Sequence, residues 1–322
     1  MCGPVLCALS AVVGLHDDWS LWKSAYTKQY ATSEEEDTRK AVFHSNKALV
    51  DAQNSKNGSW TAALNMFADE TWDEFKARLM SPQHCSATHK SSGWKVPKGT
   101  PIPNEIDWRV KLPGWTVKSQ GHCGSCWTFS TAGSMEAHYA LKYASMVNLS
   151  EQQLVDCADG FNNHGCNGGL PSQAFEYLKY AGGQDTEAAY PYTAVTGNTC
   201  KYDGKPAAKV ADVVNITALN EDELIAAIGT NGPVSIAFQV SSDFRFYYSG
   251  VYDGQCDDSP ASVNHAVVAV GYDAANKTTY AVPYYIVRNS WGASWGIGGY
   301  FHIRKGINKC GLADCASFPR IA

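Results

Sequence analysis

Gln120-Gly121-His122-Cys123-Gly124-Ser125-Cys126-Trp127 is the stretch from which the rest of the chain is read. Phe129, Ala132, Ala140 and Leu141 follow among the apolar positions, and the pattern predicts a helix opening at Cys126 and running to about Tyr143. A thiol at a helix N-terminus lies at the positive end of the backbone dipole, near amides without helical partners, and both favour the thiolate, which is the nucleophilic form. Cys123 and Cys126 also form a C-x-x-C pair, as in a redox site or half of a zinc site. Zinc requires further ligands, and no second C-x-x-C or H-x-x-x-H follows at suitable spacing. A redox site requires a βαβ context upstream, where a polar linker stands instead.

A nucleophilic thiol needs a base within reach and a group to orient that base. Among nine histidines, His265 stands in Val263-Asn264-His265-Ala266-Val267-Val268, at the entrance to an apolar strand that holds a ring rigidly. His16, His44, His138 and His302 read as structural or surface residues. Downstream, Asn289-Ser290-Trp291-Gly292 follows a second strand, and Asn289 offers an amide to the imidazole. The three residues lie far apart in the chain, which suits a site assembled between two lobes.

The surrounding sequence sets the context. A chain of 322 residues, 44% hydrophobic and 18% charged, is an ordinary globular composition. The net charge of -5 gives no electrostatic reason to expect nucleic acid. Residues 1–15 are short and apolar and read as a signal peptide, with a buried N-terminal helix as the alternative. No later stretch has the roughly 20 apolar residues of a membrane span. Eleven cysteines, of which Cys2 and Cys7 fall in the signal stretch, leave nine. That odd number in an oxidising compartment suggests disulfides and one thiol kept free. Asn-x-Ser/Thr sequons make Asn57, Asn215 and Asn276 candidates for glycosylation; Asn148, beside a helix cap, is a weaker one. Nothing calls for a metal or another cofactor.

From Trp19 to about Met80 the pattern is charged and helical, residues 81–103 form a polar linker, and a second unit begins near Asp107-Trp108-Arg109. Ser150 caps a further helix, and Ala174 to Tyr180 and Glu221 to Ile228 read as helices. Val234–Phe238, Ala266–Val270, Tyr284–Val287 and Tyr300–Ile303 read as strands. Helices first and strands later predict an α+β unit with two lobes.

Together these residues resemble the papain-like cysteine proteases, whose signature includes the C-G-[SA]-C-[WY] element. The similarity runs from about Trp19 to the end. The resemblance implies a papain-like two-lobe fold: a helical left lobe, a β-barrel-like right lobe, an active-site cleft between them and an N-terminal helical propeptide. It makes Cys126 the nucleophile, His265 the acid/base, Asn289 the orienter and Gln120 a donor to the oxyanion. Trp291 then shields the His265–Asn289 bond, and Gly168 and Gly169 line the substrate cleft. Glu35, Arg39, Phe43, Asn46, Val50 and Asn54 match the spacing of the family's inhibitory propeptide. Asn65, Phe67 and Asp69 resemble the element that follows it, although Ala63 stands where glycine is usual. The implied partners are peptide or protein substrates, the chain's own propeptide as intramolecular inhibitor, and cystatin-type inhibitors, for a monomer in the secretory pathway, a lysosome or a similar acidic vacuole.

Asn162 to Tyr177, Cys310 to Ser317 and the linker segment Ser81-Pro82-Gln83-His84-Cys85-Ser86-Ala87-Thr88 are similar to the cathepsin H branch of that family. There the linker segment is a mini-chain retained in the cleft. The resemblance implies the pairs Cys123–Cys166, Cys157–Cys200 and Cys256–Cys310, and leaves Cys85 and Cys315 to tether the mini-chain, so that Cys126 is the free thiol. It implies an aminopeptidase in which the trimmed Thr88 carboxylate pairs with the substrate's α-amino group; a plain endopeptidase without a retained mini-chain is the alternative. Expected boundaries are 1–15 signal peptide, 16–101 propeptide including the mini-chain 81–88, and 102–322 peptidase. Ser81 and His84 depart from the usual mini-chain residues.

Overall fold

A computed structural model describes residues 17–81, 83–89, 93–273 and 282–322. The expected signal peptide and Asn276 lie outside the described residues.

The N-terminal segment folds as the charge and apolar pattern dictates. Helix α1 (Asp18–Ala25) is capped by Asp17, whose carboxylate accepts the Ser20 N–H, and α2 (Ser33–Asn54) by Thr32, whose side chain accepts from Glu35. Glu34, Glu35 and Glu36 fill the first turn of α2 and complement its dipole. One face of α2 carries Phe43, Asn46, Val50 and Gln53 inward, and Trp19 and Trp22 of α1 close over Phe43. Strand β1 (Trp60–Ala62), helix α3 (Trp72–Lys76) behind a Thr71/Glu74 capping box, and the short α4 (Ser86–His89) complete the segment.

The second unit contains β2 (Ile106–Asp107), α5 (Cys126–Tyr143), α6 (Glu151–Cys157), α7 (Pro171–Ala181), β3 (Val210–Asn215) and α8 (Glu221–Thr230). The later strands are β4 (Val234–Phe238), β5 (Tyr247–Tyr252), β6 (His265–Tyr272), β7 (Tyr284–Arg288), β8 (Tyr300–Arg304) and β9 (Ser317–Ile321). The sheet runs β1-β5-β8-β7-β6-β4-β9-β3, with β2 paired to β6. All ladders are antiparallel except β5 with β8. The β-barrel-like lobe expected from sequence is an open sheet among the described residues: propeptide strand β1 takes one edge, β3 takes the other, and no ladder joins them. One core gathers the sheet and the propeptide aromatics, and the other surrounds α5, α6 and α7. Helix α5 packs on β6, and Cys126 at its first residue lies 3.4 Å, Sγ to N, from Ala266, the neighbour of His265 at the start of β6.

Two sequence expectations change. Residues 81–103 read as an exposed linker, yet Cys85 and Thr88 are each only 2% exposed. The disulfide from Cys85 to Cys315 and a hydrogen bond from Thr88 Oγ1 to the Asp314 carbonyl draw them in. Strands β3, β5 and β9 escape a periodicity reading because Gly250 (φ 89°) and Pro319 interrupt two of them and the burial of β3 does not alternate.

Asn46 joins the two units. Its Nδ2 donates to the Ala68 and Glu70 carbonyls, both at 2.9 Å, and its Oδ1 accepts from Arg245 Nη2 at 2.9 Å. Arg245 is buried, and burial pulls its guanidinium down to about 10. Asn46→Ala strands those buried groups and is expected to cost about 3 kcal/mol of stability, since several hydrogen bonds, one to a charged group, are lost together. Urea denaturation of the full-length chain measures it; an unchanged midpoint contradicts this role.

Candidate active site

Ser125 takes the N-cap position of α5 but caps nothing with its side chain. The first-turn amides therefore remain free to face the Cys126 thiol. The amides of Trp127, Met80 and Cys126 itself act on the sulfur, and the Ala266 N–H lies 3.4 Å from Sγ. Among the described residues Cys126 is the free cysteine, and it is fully buried. Cys123, its C-x-x-C neighbour, is bonded to Cys166, which removes the redox and zinc readings of that pair. Cys157 is bonded to Cys200 and Cys256 to Cys310. Among the described residues no group of histidine, cysteine and carboxylate side chains could hold a metal.

The tautomer of His265 follows from its neighbours. Asn289 Oδ1 meets both His265 Nε2 at 2.8 Å and the Ser290 N–H at 2.8 Å. A backbone N–H only donates, so the Asn289 atom is the oxygen and His265 Nε2 must carry the proton. Nδ1 is then the basic nitrogen, and it has no protein hydrogen-bond partner among the described residues. Trp291 lies 4.8 Å from the imidazole, ring centre to ring centre, and covers the His265–Asn289 bond. Burial pulls His265 down to about 4, although the Asn289 bond acts in the other direction. The arrangement is a thiol at a helix N-terminus, a base entering from a strand, and an amide that fixes the base's tautomer.

Gln120 is wholly buried, its N–H held by the Ser290 carbonyl at 2.9 Å. Its Nε2 donates to the carbonyl of Arg78, in the N-terminal segment, at 2.9 Å and to Cys123 O at 2.9 Å. That carbonyl thus sits on the donor expected to receive an oxyanion. Met80 follows: its N–H donates to Asn264 O, and Ser81 donates to Asn167 O. Gly168 has φ +116°, and a Cβ there meets Met80 Cβ at 2.7 Å; one at Gly169 strikes Asn163 and Trp127. Arg78 to Ser81 therefore lie against Gln120, Asn264, Asn167 and Gly168, while Phe67 and Phe75 pack edge-on against Trp291.

Thr88 lies elsewhere. It contacts Cys85, Asp314 and Ala218. Two residues that the sequence reading did not single out also touch the site. Ser290 Oγ donates to Gln120 Oε1 at 2.7 Å, and the Tyr192 hydroxyl donates to Gln120 O at 2.9 Å. Ser290 is adjacent to Asn289 and so within reach of inspection; Tyr192 is 66 residues past Cys126, in a loop with no motif beyond Tyr190-Pro191-Tyr192.

Residues 102–320 match the model of the papain family cysteine proteases, and residues 19–75 that of the cathepsin propeptide inhibitor domain (I29). The chain belongs to the papain family of cysteine proteases. It is a papain-family precursor carrying its own inhibitor segment. It is 50% identical to the thiol protease aleurain-like of Arabidopsis thaliana, over 94% of this chain and 84% of that protein. It is 45% identical to pro-cathepsin H of Bos taurus, over 99% and 93% respectively. Among solved structures, digestive procathepsin L2 from the Tenebrio molitor larval midgut superposes with a TM-score of 0.85 at 35% identity, covering 94% of this chain and 98% of that one.

Proposed function

We propose that the chain is the precursor of a cathepsin H-like peptidase, with Cys126 as nucleophile, His265 as acid/base, Asn289 as its orienter, and Gln120 Nε2 with the Cys126 N–H as oxyanion donors. Once the propeptide leaves, the Cys126 proton passes to His265 Nδ1 and the thiolate attacks a peptide carbonyl. The oxyanion takes the place now held by the Arg78 carbonyl. His265 returns the proton to the leaving amine, an acyl-enzyme forms, and water activated by His265 releases the acid. The observation that carries this reading is the His265 Nε2–Asn289 Oδ1 bond, which leaves Nδ1 as the basic nitrogen, on the residue next to the Ala266 amide that meets the Cys126 sulfur.

The finer reading is an aminopeptidase. The Cys85–Cys315 bond supports it: cleavage on both sides of residues 81–88 leaves that segment covalently attached beside the cleft. In the precursor Thr88 is packed against Asp314, so its carboxylate reaches the substrate's amino group only after trimming and rearrangement. A retained segment blocks the approach of longer chains and offers a carboxylate to a free α-amine. The boundaries 1–15, 16–101 and 102–322, glycosylation at the exposed Asn57, cystatin-type inhibitors, a monomeric state and residence in a lysosome or similar vacuole belong to the same proposal.

The test compares matured enzyme on a free-amine peptide and its N-acetylated twin. Turnover of the free amine is expected to be at least about tenfold faster, the discrimination of one charged pair. Cys85→Ser, which releases the segment, should abolish the preference and raise cleavage of the blocked peptide. Equal turnover of both peptides by the unmodified enzyme sinks the aminopeptidase reading and favours the endopeptidase.

A further inference from the structure

Tyr192 has no role in the chemistry as described so far. It follows Pro191, whose ring fixes the local backbone, and its own N–H donates to Glu187 Oε1 at 2.8 Å. Its ring meets Phe129 of α5 edge to face at 4.9 Å. The hydroxyl is therefore held from two sides. It donates to the Gln120 carbonyl at 2.9 Å and lies 2.5 Å from Ser125 Oγ. A phenol has one proton, so with that proton on Gln120 O it accepts from Ser125. Burial raises the phenol above its usual range and favours the protonated, donating form.

Gln120 and Ser125 mark the two ends of one short loop. Gln120 carries the side-chain amide, and Ser125 immediately precedes the Cys126 N–H. Elsewhere the loop is fixed by the Cys123–Cys166 disulfide, by Gly124 N to Cys166 O at 3.0 Å and by Gln120 N to Ser290 O. These tie the loop to its neighbours, whereas the Tyr192 oxygen touches both ends together.

We infer that Tyr192 is a positioning residue for the oxyanion site: its hydroxyl sets the separation of the Gln120 side-chain donor from the Cys126 amide. The inference rests on the reading of those two groups as oxyanion donors. Such donors stabilise charge that develops in the transition state, so their misplacement lowers kcat and spares substrate binding. Tyr192 acts through the loop, since its hydroxyl is taken up by Gln120 and Ser125.

Tyr192→Phe keeps the ring and its Phe129 contact and removes only the oxygen. In matured enzyme, normalised by active-site titration, kcat is expected to fall about tenfold with KM within about twofold, a fraction of the loss for deleting a donor outright. A peptide aldehyde, whose adduct places an oxygen on the donors, should bind about tenfold more weakly, while a non-reacting peptide amide binds as before. In a Gln120→Ala background the same substitution should add less than about twofold, because the donor it positions is gone. Ser125→Ala, which removes the hydroxyl's other partner, should give a smaller loss of the same kind and serves if Tyr192→Phe does not mature. An unchanged kcat in Tyr192→Phe beside a Gln120→Ala variant that loses about 100-fold overturns the role of Tyr192 alone. A Gln120→Ala variant with full activity overturns the oxyanion reading beneath it. Equal losses in both backgrounds mark Tyr192 as merely structural and overturn the inference.

Discussion

Cys126→Ser is expected to abolish peptide hydrolysis, lowering kcat/KM by at least about 10⁴-fold, while the precursor folds as before. The hydroxyl fits the volume of the thiol, which is fully buried at the start of α5. What it lacks is acidity. The helix N-terminus and the amides of Ala266 and Trp127 stabilise a thiolate, and the base is oriented by the neutral amide of Asn289, which lends the imidazolium no countercharge. A serine in this frame is not ionised. Steady-state kinetics on matured enzyme decide the matter, with circular dichroism reporting the fold. Normal hydrolysis by the variant would remove Cys126 from the mechanism.

The second large effect concerns the closed precursor. Burial pushes the Cys126 thiol up to about 11 and pulls His265 down to about 4, so between those values the pair is neutral thiol and neutral imidazole. Opening the cleft hydrates both and favours the thiolate and imidazolium. At pH 7.5 alkylation of Cys126 by iodoacetamide should therefore be roughly 10³-fold slower in the uncleaved precursor than in matured enzyme. Equal rates would show that the propeptide leaves the thiol in water. The sign of the acid response follows from counting protons. Opening moves one proton from Sγ to Nδ1 and takes up none, so this pair gives no pH dependence over most of that range. Acid acts instead on propeptide carboxylates such as Glu74. Burial pushes Glu74 up, yet the Thr71 and Arg39 hydrogen bonds hold it below its reference value of 4.5. Its contribution is present above pH 4.5 and is lost as pH falls through the lowered value, so latency weakens in acid.

Much of the site was legible because chemistry constrains local sequence. Cys126 announces itself by opening an apolar helix, and that helix has the span Cys126–Tyr143 that the spacing predicts. Ser150 accepts from Gln153 N at 3.0 Å, as a cap must. His265 stands at the entrance to a strand in which all eight residues are buried. Tyr192 and Ser290 were not legible as site residues. A tyrosine hydroxyl that braces a loop carries no periodicity, and its partners at Gln120 and Ser125 are distant in the chain.

The linker shows the same division. Its composition reads as exposed chain, and composition cannot register that Cys85 is bonded to a cysteine 230 residues away.

Residue type and spacing pointed to Cys126, His265 and Asn289 as the proposed nucleophile, base and orienting amide, and to the inhibitory segment and the helix that Cys126 opens. Each depends on residue type at short range, on helix and strand periods and on caps. Only the tertiary structure decided which imidazole nitrogen is basic, that the Arg78 carbonyl occupies the Gln120 donor, that the sheet is open with a propeptide strand on its edge, and that Thr88 is packed against Asp314. Those are facts of packing between segments far apart in the chain, where a hydrogen bond or a buried edge follows from the whole fold and leaves no local mark.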